Sequence, residues 1–72
     1  MAESVYKFIE VVGSSDKSWQ KAAEAAITMA SKSVRDLRIA EVLDMDMQIE
    51  DGKIIAYRTK LKLSFKVEKN LG

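Results

Sequence analysis

Residues 55–68 have the sequence IAYRTKLKLSFKVE, in which uncharged side chains at odd positions alternate with mostly charged ones at even positions. This period of two is typical of a β-strand with one buried face and one face in water. Residues 37–50, LRIAEVLDMDMQIE, show a similar alternation, and Asp51-Gly52 between the two stretches is a strong hairpin signal. The chain from residue 35 to residue 68 is therefore predicted to form one long β-hairpin.

The connection between the two arms determines which side chains face each other. A two-residue turn would set Met45 opposite Arg58, which mixes apolar and charged faces. A three-residue loop, residues 50–52 with Gly52 as a G1 bulge, sets Met45 opposite Tyr57 and Asp44 opposite Arg58. We therefore predict the bulged three-residue loop, with one uniform register along both arms.

A strand and a helix precede the hairpin. Val5 to Val12 is rich in β-branched and aromatic residues and is followed by Gly13-Ser14-Ser15, which predicts a first strand. Apolar residues on both of its faces predict a strand that is buried on both faces or is central in its sheet. Ser15 or Ser18 is the expected N-cap of a helix of about 16 residues, whose apolar stripe starts at Trp19 and is mostly alanine. Trp19 is expected to anchor the core or an interface.

These elements define an α+β fold class with the order β-α-β-β. We expect a three-stranded antiparallel sheet wrapped on one helix, in a single domain over residues 1–72. Each hairpin arm of about 15 residues would extend about 45–50 Å, whereas the helix would extend only about 24 Å. About half of the apolar sheet face then lacks cover from its own chain, which predicts self-association.

Composition excludes several classes of function. The chain has neither Cys nor His, which removes the usual ligands of zinc, haem and copper and any Ser-His or Cys-His nucleophile pair. No base lies beside a nucleophile in the predicted fold, so we expect no enzymatic activity. The net charge of +1 favours neither nucleic acid nor membrane as a partner. The sequence shows no signal peptide or spanning segment, so we expect a cytoplasmic protein.

Two groups of charged side chains are candidate binding residues. Glu41, Asp44 and Asp46 could supply oxygen ligands to a hard cation such as calcium; the alternative is a solvated face partly paired with bases of the next strand. Lys60 and Lys62 could hold the phosphates of a nucleotide or coenzyme. Inter-subunit ion pairs are the alternative use of these two lysines.

With its elements placed, the sequence resembles the dodecins, small β-α-β-β proteins that assemble into hollow dodecamers and in many members bind flavins. The resemblance covers nearly the whole chain and implies a homododecameric binding or storage shell whose family ligand is FMN or riboflavin. The matching segments are Val5-Tyr6-Lys7, Glu10 to Ser15, Ser18-Trp19, Val34 to Leu37, Ala40-Glu41-Val42, Asp51-Gly52-Lys53, Tyr57-Arg58 and Leu61 to Lys66.

Two positions depart from the pattern of the flavin-binding members. Those members carry a Trp on the second strand that stacks on the flavin ring, and a Gln on the third strand that hydrogen-bonds it; here the positions hold Ile39 and Arg58. An aliphatic side chain offers no π face, and Arg donates hydrogen bonds but cannot accept them. The resemblance therefore implies weak flavin binding and greater similarity to calcium-type dodecins that lack the Trp. A nucleotide- or coenzyme-binding module using the basic third strand is the alternative.

Overall fold

The computed structural model describes residues 3–67 and contains four elements. They are β1 (Tyr6–Ser15), α1 (Trp19–Ala30), β2 (Leu37–Glu50) and β3 (Lys53–Lys66). The three strands form one antiparallel sheet in the order β1-β3-β2. The predicted β-α-β-β order and α+β fold class are confirmed. The described residues contain no helix long and apolar enough to cross a membrane.

The central strand is β3, and β1 is neither central nor buried on both faces, so both alternatives predicted for β1 are wrong. β1 lies at an edge, and its apolar residues on the second face, Tyr6, Phe8 and Val12, are exposed. Exposed apolar clusters of this kind usually mark sites of contact with another surface. Apolar patterning on both faces therefore reflected an uncovered surface and not a central strand.

Helix α1 packs on β1 and β3, and the core lies between them. Ala22 and Ala26 of the helix are buried against Leu61 and Leu63 of β3. Ser18 is the N-cap, and its Oγ accepts a hydrogen bond from the Lys21 amide at 3.0 Å. The helix has 12 residues, fewer than the predicted 16 or so, and thus extends about 18 Å.

Gly13 explains how the helix can approach the sheet so closely. β1 continues through Gly13 to Ser15, beyond the predicted strand end at Val12. A Cβ atom at Gly13 would lie 1.9 Å from the carbonyl oxygen of Ala22, a distance at which atoms overlap. A glycine inside a strand often marks such a close backbone approach. Gly13 is therefore the point where α1 rests directly on β1.

The hairpin turn has two residues, so the predicted three-residue loop is wrong. Glu50 pairs directly with Lys53, and both Asp51 and Gly52 have positive φ angles, of 51° and 75°. Positive φ at both central positions is the signature of a type I′ turn, whose twist suits the flanking strands. The G1 bulge that we placed at Gly52 is therefore absent from this turn.

The uniform register is also wrong, because β-bulges shift the pairing along the hairpin. Ile55 is left without a partner, and this shift sets Met45 opposite Thr59 and Met47 opposite Tyr57. A second bulge at Leu43 shifts the pairing again and sets Val42 opposite Leu61 and Ala40 opposite Leu63. A third shift, between Leu37 and Ile39, sets Leu37 opposite Phe65. Each bulge adds one residue to one strand, which a uniform register leaves out.

Strand β2 lies almost entirely outside the core. Leu37 is its only half-buried residue, and the other thirteen of its 14 residues are exposed. The described chain is elongated, with extents of 55 × 20 × 14 Å and a radius of gyration of 15.1 Å. A compact chain of this length would have a radius of gyration of about 11 Å. One helix therefore covers only part of the sheet, as the lengths of the elements predicted.

We expect Gly13→Ala to destabilise the protein more than Gly52→Ala does. The first substitution forces α1 away from β1, and we expect its loss of stability to lie at the upper end of the roughly 1–3 kcal/mol that overpacking costs. The second meets no neighbouring atom within 4 Å, so its cost is backbone strain alone, about 1 kcal/mol. Thermal unfolding at matched protein concentration measures both. Equal midpoints for the two variants would contradict the close contact at Gly13.

Candidate functional site

The face of the sheet opposite α1 carries most of the predicted site residues. Thr59, Leu61 and Leu63 of β3 are buried beneath the helix, so the even-numbered residues between them project from the other side. Side chains of directly opposed residues in an antiparallel pair share a face. We call this surface the outer face.

Three acid–base pairs cross the outer face from β2 to β3. Their members are opposed in the register of the two strands: Asp46 and Arg58, Asp44 and Lys60, and Glu41 and Lys62. The bulge at Leu43 is what brings the odd-numbered Glu41 onto the same face as the two aspartates. We call these six residues the charge ladder. It replaces the predicted pairing of Asp44 with Arg58, which is wrong by one rung.

The Asp46–Arg58 rung is a bidentate ion pair. Arg58 Nε donates to Asp46 Oδ1 at 2.7 Å, and Arg58 Nη2 donates to Asp46 Oδ2 at 2.8 Å. The side chains are about half exposed, at 45% and 47%. The hydrogen bonds from Arg58 lower the pKa of Asp46 below its ordinary value, and the positive charges of Arg58 and Lys60 act in the same direction. The same hydrogen bonds raise the pKa of Arg58.

Asp46 also connects this rung to the helix on the opposite side of the sheet. Trp19 Nε1 donates to the Asp46 carbonyl oxygen at 3.1 Å, and the Trp19 ring meets the Tyr57 ring edge-on at 5.1 Å. The buried Thr59 hydroxyl donates to the Trp19 carbonyl oxygen at 2.9 Å. Trp19 thus anchors the start of α1 to the hairpin, as predicted, and these contacts fix the backbone that carries Asp46.

The two lysines predicted to bind phosphate face groups of their own chain. Lys62 lies between Glu10 of β1 and Glu41 of β2, and its Nζ is 4.4 Å from the centroid of the Phe8 ring. This is a cation–π distance. Lys60 is opposed to Asp44. These neighbours reduce the positive potential that either lysine offers to a phosphate. Alternation within one strand does not predict the contact of Lys62 with Phe8, because the two residues lie on different strands.

The carboxylates predicted to bind a cation do not form a metal site within one chain. Residues 3–67 contain no group of three acidic side chains that could hold one ion. Calcium takes six to eight oxygen ligands, whereas each carboxylate of the charge ladder is opposed to a base. A single described chain therefore does not supply a calcium shell, and binding through Glu41, Asp44 and Asp46 stays a prediction.

The structure separates Ile39 and Arg58, the two positions that the family resemblance associates with flavin binding. Ile39 is opposed to Ser64 of β3, six residues from Arg58, which corresponds to about 20 Å along the strand. One chain therefore does not bring Ile39 and Arg58 together. Ile39 instead borders an open pocket of about 140 Å³. The other residues lining it are Ile27, Leu37, Arg38, Ala40 and Leu63, which pattern analysis did not identify as a group.

Comparison with known proteins gives a consistent family assignment. The sequence model described as Dodecin matches residues 5–68. The calcium dodecin of Mycobacterium tuberculosis is 45% identical over 64 residues, which span 89% of this chain and 90% of that protein. A solved structure of that calcium dodecin, described as calcium chelating with a novel calcium-binding site, is 44% identical and has a TM-score of 0.80, covering 96% of this chain and 99% of that one.

Structural similarity extends to a dodecin from another organism. The solved dodecin of Streptomyces coelicolor is 37% identical, with a TM-score of 0.89 over 97% of this chain and 100% of that chain. The backbone therefore matches that of the Streptomyces coelicolor dodecin well, although the sequence of this chain is less similar to it than to the calcium dodecin. Fold similarity does not by itself distinguish ligands, because ligand choice depends on individual side chains.

We expect the Asp46 carboxylate to titrate at a lower pH in the native protein than in the Arg58→Gln variant. Because the folded pKa is lowered, the pair stabilises the fold above the unfolded pKa, and this contribution is lost as the pH falls through the folded pKa. Carbon-13 shifts of the carboxyl groups measure the midpoints. Identical Asp46 midpoints in both proteins would show that the ion pair does not form in solution.

Proposed function

Since this chain belongs to the dodecin family, we propose that it is a non-enzymatic protein that assembles from identical subunits and binds or stores a small ligand. The observation that carries the proposal is the uncovered β2 strand, whose apolar side chains need a partner surface. The ligand classes that we consider are those associated with the family, flavin and calcium. Enzymatic activity has no support in the arrangement of the outer face.

Self-association follows from the distribution of exposed apolar side chains. Eight large ones lie on the hairpin, where α1 does not reach. They are Ile39, Val42, Leu43, Met45, Met47, Ile49, Ile54 and Ile55. A chain of 72 residues without disulfides is close to the lower size limit for a stable single core, so burying this surface against other copies would contribute much of its stability. We propose a closed homododecamer, the assembly that the family resemblance implies.

We expect the wild-type protein to sediment as an oligomer and Met45→Glu to shift it towards smaller species. Met45 is exposed on the helix side of the sheet, where α1 does not reach. A glutamate there would place a charge in the contact between subunits, and burying that charge would cost more free energy than the contact provides. The matched control is Thr28→Glu on the exposed side of α1, which should leave the oligomer intact. Analytical ultracentrifugation at micromolar concentration measures the masses. A stable, folded wild-type monomer of 8.1 kDa would contradict the proposal.

Flavin binding is proposed to be weak for two reasons. Ile39 offers contact area but no aromatic face on which an isoalloxazine ring could stack, and such stacking adds about 0.5–1.5 kcal/mol beyond burial. Arg58 lacks an acceptor for the ring, and its Nε and one N–H of Nη2 already donate to Asp46, which holds the guanidinium in place. Because the two positions are about 20 Å apart in one chain, a site that uses both would need two subunits.

We expect the double variant Ile39→Trp with Arg58→Gln to bind riboflavin more tightly than the wild type, by about tenfold. It restores the stacking ring and an amide that both donates and accepts. The control is Ile49→Trp with Arg58→Gln, since Ile39 and Ile49 are both 63% exposed on β2. Quenching of riboflavin fluorescence measures the dissociation constants. Nanomolar binding by the wild type, or an equal gain in the control, would contradict the role of position 39.

Calcium is the second ligand class, and the relative at 45% identity is the observation that favours it. A calcium shell would require carboxylates from more than one chain, because the described residues of a single chain provide no convergent set. The nucleotide- or coenzyme-binding alternative has less support. Lys60 and Lys62, which would hold its phosphates, are opposed to Asp44 and Glu41.

A further inference from the structure

We propose that Arg58 determines the ligand specificity of the outer face by acting as the resident counter-ion of Asp46. Its guanidinium binds both oxygens of the Asp46 carboxylate, which a divalent cation would need as ligands, and thereby excludes such cations from the charge ladder. This inference rests on the proposed binding function but concerns contacts within one chain. The acids of β2 are then internal partners of the sheet, and calcium bound by the native protein would have to use other ligands.

The geometry of the pair carries this inference. Both oxygens of Asp46 accept hydrogen bonds, at 2.7 and 2.8 Å, from two different nitrogens of one planar group. A bidentate pair of this kind fixes direction as well as distance, which a lysine ammonium does not. Both residues lie in the paired part of the hairpin, and the Trp19 indole holds the Asp46 carbonyl oxygen from the other side. Asp46 is therefore oriented towards Arg58.

Without Arg58, Asp46 and the neighbouring Asp44 could both offer carboxylate oxygens to one cation. Asp44 and Asp46 are two residues apart on one strand and project on the same face, about 7 Å from each other. An ion shared by them would lie roughly 5 Å from the guanidinium. At that distance the repulsion between a divalent ion and one positive charge weakens binding about tenfold even in bulk water.

The lysines of the ladder exclude cations less effectively than Arg58 does. Lys60 and Lys62 carry point charges on flexible stems, and Lys62 is directed to the Phe8 ring. Among the described ladder residues, the Asp46–Arg58 rung is the one with a direct ion pair. Arg58 also stands where flavin-binding dodecins are expected to carry Gln. Arg58 thus affects both ligand classes: it offers no hydrogen-bond acceptor to flavin, and it neutralises the charge of Asp46 that would attract a divalent cation.

Calcium titration by calorimetry at fixed ionic strength tests the inference. We compare the wild type with Arg58→Gln and with Arg35→Gln, a matched control that removes the same charge from an exposed position outside the strands. Arg58→Gln should bind calcium about tenfold more tightly than the wild type, whereas Arg35→Gln should change the affinity less than twofold. Adding Asp46→Asn to Arg58→Gln should abolish the gain.

Two results would overturn the inference. One is an equal calcium affinity in Arg58→Gln and Arg35→Gln, and the other is wild-type binding that Asp46→Asn removes. If Arg58→Gln does not fold, Arg58→Lys provides the comparison, because it keeps the positive charge and loses the bidentate geometry of the guanidinium. We expect Arg58→Lys to raise the calcium affinity by less than tenfold, in a way that depends on Asp46. An unchanged calcium affinity would count against the proposal. Sedimentation of each sample shows whether the variant still assembles. Because the Asp46–Arg58 pair lies within one chain, a change in calcium affinity without a change in mass concerns this inference and not the proposed assembly.

Discussion

The length difference between α1 and the hairpin is the constraint on which the rest of the structure depends. A helix of 12 residues extends about 18 Å, whereas each 14-residue arm extends about 46 Å. The helix can bury side chains of β1 and of the central β3, and it leaves β2 outside the core. Small residues at the contact, Ala22, Ala26 and Gly13, let the helix lie close to the sheet. They bury little area, so the remaining stability has to come from other surfaces.

The outer face follows a different rule, because it is organised by charge and not by burial. The acids of the charge ladder lie on β2 and its bases on β3, so the two strands of the hairpin are complementary across every rung. Cross-strand pairs of opposite charge stabilise a register and penalise a slipped one. The same arrangement limits what the face can bind, since both oxygens of Asp46 accept hydrogen bonds from Arg58. A binding role for this chain is therefore more readily placed between subunits than on the outer face of one subunit.

The hairpin shows how far pattern analysis could go. Alternation in residues 37–50 and 55–68 located both arms, and Asp51-Gly52 located the turn between them. The same alternation led to a three-residue loop, because it treated the register as uniform from end to end. The chain instead keeps the type I′ turn and corrects the faces with bulges at Ile55 and Leu43. The bulge at Leu43 coincides with a break in the alternation, where Glu41 is charged at an odd position and Val42 is apolar at an even one. A uniform register ignored that break and the bulge at Ile55, so the partner of Asp44 was predicted one rung out of place.

The sequence alone determined the element order, a serine N-cap at Ser15 or Ser18, the anchoring role of Trp19 and the shortage of cover for the sheet, because each depends on local periodicity, capping chemistry or length. It also carried the family resemblance, which the comparisons confirm. Only the tertiary structure decided the central place of β3, the contact of Gly13 with Ala22, and the pairing of Asp46 with Arg58. Those features depend on which strands become neighbours and on where bulges shift their register, and both are settled by packing between segments distant in the chain.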